Sequence, residues 1–244
     1  MTKRDFKAQY RQSLLGFFWA FAPILANSLV WIFLQKSGTV NLQETGIPYP
    51  LYVIIGTTLW TIFIESLQNP INSVNGGKSI LSKINFPKEA LIISGIYTQL
   101  INMALKFILV VLLMVIYSEF PGTSFIFFPL ILVTIMAFGI SIGLIITPIG
   151  LLYSDIVRGI NFASSFLMYI TPVLYMMPKA GIFKTLFEIN PLTYLINDGR
   201  NSLVGENISH LDITLVILLL SLLLMAVGLV IFRKSMPIII EKIS

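Results

Sequence analysis

The sequence predicts an all-α integral membrane protein with six transmembrane helices and both ends in the cytoplasm. Of its 244 residues, 56% are hydrophobic and only 11% are charged, and the mean hydropathy is +0.89. Soluble domains usually carry about 25% charged residues, because their surface must be hydrated. The apolar residues also form long runs, and about 20 such residues in a helix cross the hydrocarbon core of a bilayer. Basic residues mostly flank these runs, as they do in membrane proteins.

Each predicted span is an apolar run with at most one charge in its interior. The six spans are residues 14–35, 51–68, 90–117, 125–152, 161–177 and 213–232. In the fourth run we expect Pro129 to mark the helix entry and Pro148 a kink near its exit. The apolar patches that follow the fifth span are too short to cross. We expect part of this stretch, about Thr171 to Leu186, to enter the membrane and return as a re-entrant pair of short helices.

The orientation follows from the positions of Lys and Arg. With the N-terminus inside, eleven of the sixteen basic residues lie in inside segments, four lie in outside loops, and Lys106 lies within a span. Cytoplasmic segments of membrane proteins carry the excess of Lys and Arg. This bias and the even number of spans both predict cytoplasmic termini.

The sequence argues against several kinds of site. There are no cysteines and His210 is the single histidine, which excludes thiolate sites and multi-histidine metal clusters within one chain. Gly77-Lys78-Ser79 suggests a P-loop, but Asn72 stands where that motif requires its first glycine. We therefore expect no cofactor on this chain, and an ATP site only on another chain. Because the basic residues flank apolar runs, we expect no nucleic-acid partner.

The first residues, 2–13, predict an amphipathic helix on the cytoplasmic membrane surface. Phe6 and Tyr10 are four residues apart and share a helical face, with Arg4 and Arg11 beside them. A positive-inside anchor with no further role explains the same residues.

Three stretches have the order and residue types of one family. They are Arg4-Asp5, Tyr10, Leu15-Gly16, Trp19 and Pro23, then Ile80 to Glu89 with its Phe86-Pro87 step, then Thr171 to Tyr175 with Asn190-Pro191-Leu192 and Arg200. Within a six-span layout they resemble the type-two ABC transporter permeases of the polysaccharide export family, which move O-antigen, capsule or teichoic acid. One departure is the loop before the fifth span, where the family often has Arg-Asp. Here it is Ser154-Asp155, with Arg158 three residues on.

The resemblance implies a homodimer of this chain in the bacterial cytoplasmic (inner) membrane. Two copies of a separate nucleotide-binding ATPase subunit, which would hold ATP and Mg, are expected to drive it. The implied substrate is a lipid-linked polysaccharide, and this chain would be the non-catalytic membrane subunit.

The resemblance also gives roles to two segments. A coupling helix at 79–89 would fit a cleft on the ATPase, and an external re-entrant region at 171–200 would gate the outer exit. The residues expected to couple to the ATPase are Ser79, Lys83, Phe86, Pro87, Lys88, Glu89, Arg4, Asp5, Tyr10 and Arg11. The residues expected at the external gate are Pro172, Asn190, Pro191 and Arg200. An ordinary positive inside loop also explains 79–89.

A polysaccharide path needs flat, weakly binding surfaces, and aromatic rings provide them. The channel and substrate candidates are Trp19, Asn27, Trp31, Lys106, Tyr169 and Tyr175. Trp and Tyr also populate the interface belts of any membrane protein. Asn27 with Trp31 is the stronger pair, because an amide in the middle of a span avoids lipid.

Two ionisable residues lie within spans, Glu65 and Lys106, and each must face protein or water. They either pair, or Lys106 meets an anionic substrate. A secondary transporter is the alternative function, but it needs an intramembrane acid and Glu65 is the only one well inside a span. An enzyme acting on lipid-linked sugars is a weaker alternative, since it needs clustered acids, histidines or a nucleophile. Small residues four apart, Gly139 and Gly143, predict close helix packing in the fourth span.

Overall fold

The computed structural model describes residues 18–38, 45–77, 88–178 and 180–243. Within these ranges every regular element is a helix, which confirms the all-α prediction. The α-helices are α1 (Phe18–Lys36), α2 (Tyr49–Gly76), α3 (Glu89–Tyr117), α4 (Phe128–Leu152), α5 (Ser154–Leu167), α6 (Ile182–Ile189), α7 (Pro191–Val204) and α8 (Leu211–Ile243). Two short 3-10 segments, Thr123–Phe127 and Met168–Ile170, precede α4 and follow α5.

Four helical stretches among the described residues are long and apolar enough to cross a membrane. They are Tyr49–Gly76, Glu89–Tyr117, Thr123–Leu152 and Leu211–Ile239, which contain the predicted second, third, fourth and sixth spans. The apolar part of α1, Phe21–Lys36, is shorter, and α5 has 14 residues. A membrane protein is therefore confirmed, and the count of six spans stays a prediction.

Helix α2 is the centre of the bundle, and glycines of α4 let α4 approach it closely. A Cβ atom built on Gly139 would lie 2.7 Å from the carbonyl oxygen of Phe63, and one on Gly143 would lie 2.2 Å from that of Leu67. Such distances leave room only for hydrogen, so the predicted close packing at these two glycines is confirmed. Gly228 of α8 also packs against α4, where an added Cβ atom would lie 2.9 Å from the Cβ atom of Leu144.

The fifth predicted span, 161–177, differs from the observed elements. Tyr153 is extended and separates α4 from α5, which starts at Ser154. The 3-10 segment Met168–Ile170 continues α5 and ends where Thr171 becomes extended (φ −131°, ψ 143°). Pro172 disfavours a helical conformation of the residue before it. Irregular backbone therefore follows Ile170.

Helix α8 continues past the predicted end of the sixth span at Phe232. Phe232, Met236 and Ile239 recur at helical spacing and are buried in one apolar cluster, in which they join Val74 of α2 and Ile92 of α3. This buried face extends the helix to Ile243, beyond Arg233 and Lys234, the basic pair that directly follows the predicted span.

Candidate transport path and outer gate

Three of the channel candidates come together near the C-terminal end of α1. The ring of Trp31 lies 6.3 Å from that of Tyr169 and 6.4 Å from that of Tyr175, measured between centroids. The hydroxyl of Tyr175 donates a hydrogen bond to the backbone carbonyl of Tyr169. This aromatic cluster (Trp31, Tyr169, Tyr175) thus joins α1 to the end of α5, and its rings are only partly covered.

The other candidates on α1 have different surroundings. Asn27 lies one turn before Trp31 on the exposed side of the helix, whereas its neighbour Ser28 is buried and lies 3.2 Å from the hydroxyl of Thr57. Trp19 is in the first turn of α1, and its side chain lies outside the described residues.

Lys106 is almost fully buried and forms an ion pair with Glu65. Of the two interpretations left open by the sequence, the structure supports the pair. The charge of Lys106 is then taken up within the bundle, where a single buried charge would be costly.

Asn190 ties the start of α7 to the end of α5. Its Oδ1 accepts a hydrogen bond from the amide of Leu192 at 3.0 Å, so Asn190 caps the helix, and Pro191 occupies the first turn. Its Nδ2 donates to the Thr171 hydroxyl at 2.8 Å and to the Ile170 carbonyl at 3.2 Å. The side chain therefore satisfies both the helix start and the irregular backbone after α5.

Arg200 binds the irregular backbone from the other end of α7. Only 3% of its surface is exposed. Its Nη2 donates to the carbonyls of Pro172 at 2.7 Å and Val173 at 3.3 Å, and its Nε donates to the carbonyl of Tyr52 at 3.3 Å. The guanidinium also stacks on the ring of Tyr52, 3.6 Å from its centroid. Asn190 and Arg200 thus bind one stretch of backbone, 170–173, which contains Pro172, and Pro191 follows Asn190 in the first turn of α7. We call these four predicted gate residues the outer gate network (Pro172, Asn190, Pro191, Arg200).

Gly56 of α2 makes this network possible, and the sequence prediction missed it. A Cβ atom at Gly56 would lie 2.3 Å from the Val173 carbonyl oxygen and 2.6 Å from Nη2 of Arg200. The available signal was the single glycine of the predicted second span, 51–68.

The profile of one protein family covers most of the chain. The ABC-2 type transporter family matches residues 1–204. The chain belongs to the ABC-2 type transporter family.

Curated relatives of this ABC-2 type transporter are similar over most of its length. The chain is 25% identical over 239 residues to an O-antigen export system permease protein RfbA of Klebsiella pneumoniae, covering 96% of this chain and 90% of the relative. It is also 25% identical over 199 residues to a protein of the same name from Myxococcus xanthus, covering 80% of this chain and 75% of the relative. Family membership makes the chain a membrane permease.

Most of the predicted coupling residues lie outside the described residues. These are Arg4, Asp5, Tyr10, Arg11, Ser79, Lys83, Phe86 and Pro87. Lys88 immediately precedes α3, and Glu89 is its first residue. The Oε1 atom of Glu89 accepts a hydrogen bond from Nε of Arg233 at 2.6 Å, which links α3 to the continuation of α8.

A polar cavity of about 230 Å³ lies beside the outer gate network in this transporter. Arg200, Asp198, Glu206 and His210 contribute to its lining. Asp198 is fully buried, and its Oδ2 accepts a hydrogen bond from the backbone amide of His210 at 3.2 Å. Burial raises the pKa of Asp198, and the nearby His210 partly opposes this shift. Sequence reasoning missed this acid because nothing in the pattern marks its burial.

Proposed function

We propose that this chain is the membrane subunit of an ATP-driven exporter that moves a lipid-linked polysaccharide, of the O-antigen kind, across the bacterial cytoplasmic membrane. The observation that carries the proposal is the similarity to O-antigen export permeases over nearly the whole of both chains. The aromatic cluster supports it, because partly exposed rings offer sugar faces a weak and unspecific surface.

The exposed face of α5 supports a homodimer with the path between its two copies. Among the residues of α5 only Ser164 is buried. The helix exposes large rings such as Phe162 and Phe166, and also polar groups such as Asn161 and Ser165. Polar side chains inside a membrane belong next to protein or water. A second copy and a hydrated path would cover this face together with the aromatic cluster.

The proposed topology has six spans, with α1 and α5 as the first and fifth. Both termini are then cytoplasmic. Helix α5 and the 3-10 segment that follows it together give 17 consecutive helical residues, the lower limit for a span, whereas α6 with 8 residues and α7 with 14 are too short to cross. Helix α6 exposes Ile182, Phe183 and Ile189, which suits insertion into the outer leaflet, whereas α7 buries most of its residues. This pair lies later in the chain than the re-entrant helices expected at about Thr171 to Leu186, because 171–178 is not helical, and we propose it as the external re-entrant region.

Two copies of a separate ATPase subunit, which carry ATP and Mg, are proposed to drive transport through the coupling segment 79–89 and the interface helix 2–13. Helix α2 ends at Gly76 and α3 begins at Glu89, so both helices lead directly into the coupling segment. Basic residues there suit an acidic partner surface.

Charge reversal tests the coupling segment. Reversing Lys83 together with Lys88 is expected to leave expression normal but to uncouple ATP hydrolysis from export. Lys184→Glu is the matched control, because Lys184 lies on α6 and would be outside. Normal export by the double variant would contradict the coupling role.

The function itself is tested in cells that lack this gene. Surface polysaccharide is expected to disappear while lipid-linked polymer accumulates inside, and the wild-type chain should restore export. An ATPase subunit should co-purify with the chain in detergent. A monomer that transports without ATP would overturn the proposal.

The alternative function, a secondary transporter, loses its main support, because Glu65 is already paired with Lys106.

A further inference from the structure

A second polar cavity, of about 350 Å³, lies between α2 and α3. Every residue that lines it has a polar side chain, apart from Gly95. In the proposed topology it occupies the cytoplasmic half of the bundle. It reaches from Ser73 near the inner end of α2 to Glu65, which is about 16 Å from Gly76 along the helix axis. We call this cavity the inner polar groove.

The floor of the inner polar groove is a preformed hydrogen-bond network. Gln99 of α3 is 95% buried and donates to the Ser66 hydroxyl at 2.6 Å and to the Ile62 carbonyl at 3.2 Å. Its Oε1 accepts from the Asn69 amide at 3.4 Å, and Asn69 in turn accepts from Ser73 at 3.3 Å. Side chains held in this way are oriented before any ligand arrives, which lowers the cost of binding.

At its upper end the groove is lined by Glu65, which forms an ion pair with the buried Lys106. The two opposite charges cancel, so the groove is polar but close to neutral. Oε2 of Glu65 is buried and has no hydrogen-bond partner among the described residues. An uncompensated buried oxygen favours a ligand that brings a hydrogen-bond donor.

The rim of the groove is open. Asn72 is exposed, and Gln68 and Thr98 are partly exposed. At this depth an open polar surface is costly against lipid, so it holds water or a polar ligand. Gln68 also donates from Nε2 to Asn161 of α5 at 2.5 Å. The groove therefore adjoins the helix that carries the proposed path.

The chemistry of the lining selects among ligands. Amides and hydroxyls offer both donors and acceptors, which matches the hydroxyl groups of a sugar. Phosphate is disfavoured, because none of the described residues that line the groove is cationic and Lys106 is paired with Glu65. Ligand cavities usually measure about 300–1,000 Å³, so this one has room for a small part of a glycan. We infer that the inner polar groove binds one or two sugar residues of the polysaccharide on the cytoplasmic side, before they enter the path beside α5. This inference rests on the function proposed above.

Photo-crosslinking in living cells tests the occupant directly. The full chain carries p-benzoylphenylalanine in place of Asn72 or Thr98, in cells that make the polymer, and the probe is that endogenous polymer. Ultraviolet light should produce a high-mass band that stains for glycan. The control is the same crosslinker at Ile93, which is highly exposed on α3 but does not line the groove. Equal glycan crosslinking at Ile93, or crosslinks only to lipid or to protein, would overturn the inference.

Apolar replacements give a second test. Asn72→Leu and Thr98→Val together should lower export about tenfold at limiting polymer, the factor expected when one or two hydrogen bonds to a ligand are lost. ATP hydrolysis by the assembled transporter and the amount of protein should stay normal, which distinguishes a binding defect from misfolding.

The two proposals fail in different ways. If removal of the gene leaves surface polysaccharide unchanged, the exporter function is wrong. If removal abolishes export but the double variant exports normally and no glycan crosslinks form at the groove, only the groove inference is wrong.

Discussion

Replacing Gly56 by alanine is expected to disrupt the outer gate network. The added Cβ would lie 2.3 Å from the Val173 carbonyl oxygen, whereas ordinary contacts begin at 3.4 Å, so that carbonyl must retreat by about 1 Å. Arg200 already holds Val173 at 3.3 Å, and its Nη2 would itself be only 2.6 Å from the new methyl group. The displacement therefore breaks at least one charged hydrogen bond as well as the packing.

The expected loss in free energy of unfolding is about 1–3 kcal/mol, as for other overpacked sites. In a chain of this size, 1 kcal/mol corresponds to roughly 2–4 °C in the melting temperature. Thermal unfolding of the purified chain in detergent measures it. Gly76→Ala is the matched control on the same helix, because a Cβ there meets no atom within 4 Å. Equal melting temperatures for Gly56→Ala and Gly76→Ala would refute the reasoning.

A double-mutant cycle shows whether the effect passes through Arg200. If it does, Gly56→Ala should cost much less in an Arg200→Met background than in the wild-type chain, because the hydrogen bonds are already lost. Additive losses would mean that Gly56 acts on the backbone without Arg200.

Three further outcomes are expected in the same unfolding assay. Lys106→Met leaves Glu65 without its partner and should lower the free energy of unfolding by about 3–5 kcal/mol. Adding Glu65→Leu should recover most of this loss. Equal stability of the single and double variants would contradict the ion pair. Asn190→Ala removes a helix cap and should lower the free energy of unfolding by about 0.5–2 kcal/mol. An unchanged melting temperature would contradict a structural role for this side chain. Burial raises the pKa of Asp198, so the charged carboxylate opposes folding, and the stability of the protein should fall as the pH rises through that pKa. The Asp198→Asn variant carries no such charge, so it should become more stable relative to the wild type as the pH rises. This last comparison is made in a His210→Gln background, and a pH-independent difference would contradict it.

The bundle was predictable where hydropathy alone decides the structure. Long runs with few charges must be helical in a bilayer, because the backbone has no other partners there. The Gly139–Gly143 spacing predicted close packing for a similar local reason. The pairing of Lys106 with Glu65, 41 residues away, was one of two predicted options, since both charges had to avoid lipid.

The remaining features depend on contacts that leave no mark in the sequence. Arg200 binds backbone carbonyls, which every residue has, so no pattern identifies Pro172 and Val173 as its partners. The burial of Asp198 is set by elements distant in the chain. The continuation of α8 past Arg233 was missed because a basic pair usually marks a membrane boundary, whereas here the buried face of Met236 and Ile239 extends the helix.

The apolar cluster near the C-terminal end of α2 packs four helices together and leaves α5 outside it. Val74, Ile92, Ile140 and Phe232 fasten α2, α3, α4 and α8 to one another just beside the coupling segment. If the proposed ATPase acts on the coupling segment, the four helices are expected to move together, because they pack against one another. Helix α5, which buries only Ser164 against the rest of the chain, is not fastened in this way. Such a movement is therefore expected to shift the four-helix block relative to α5.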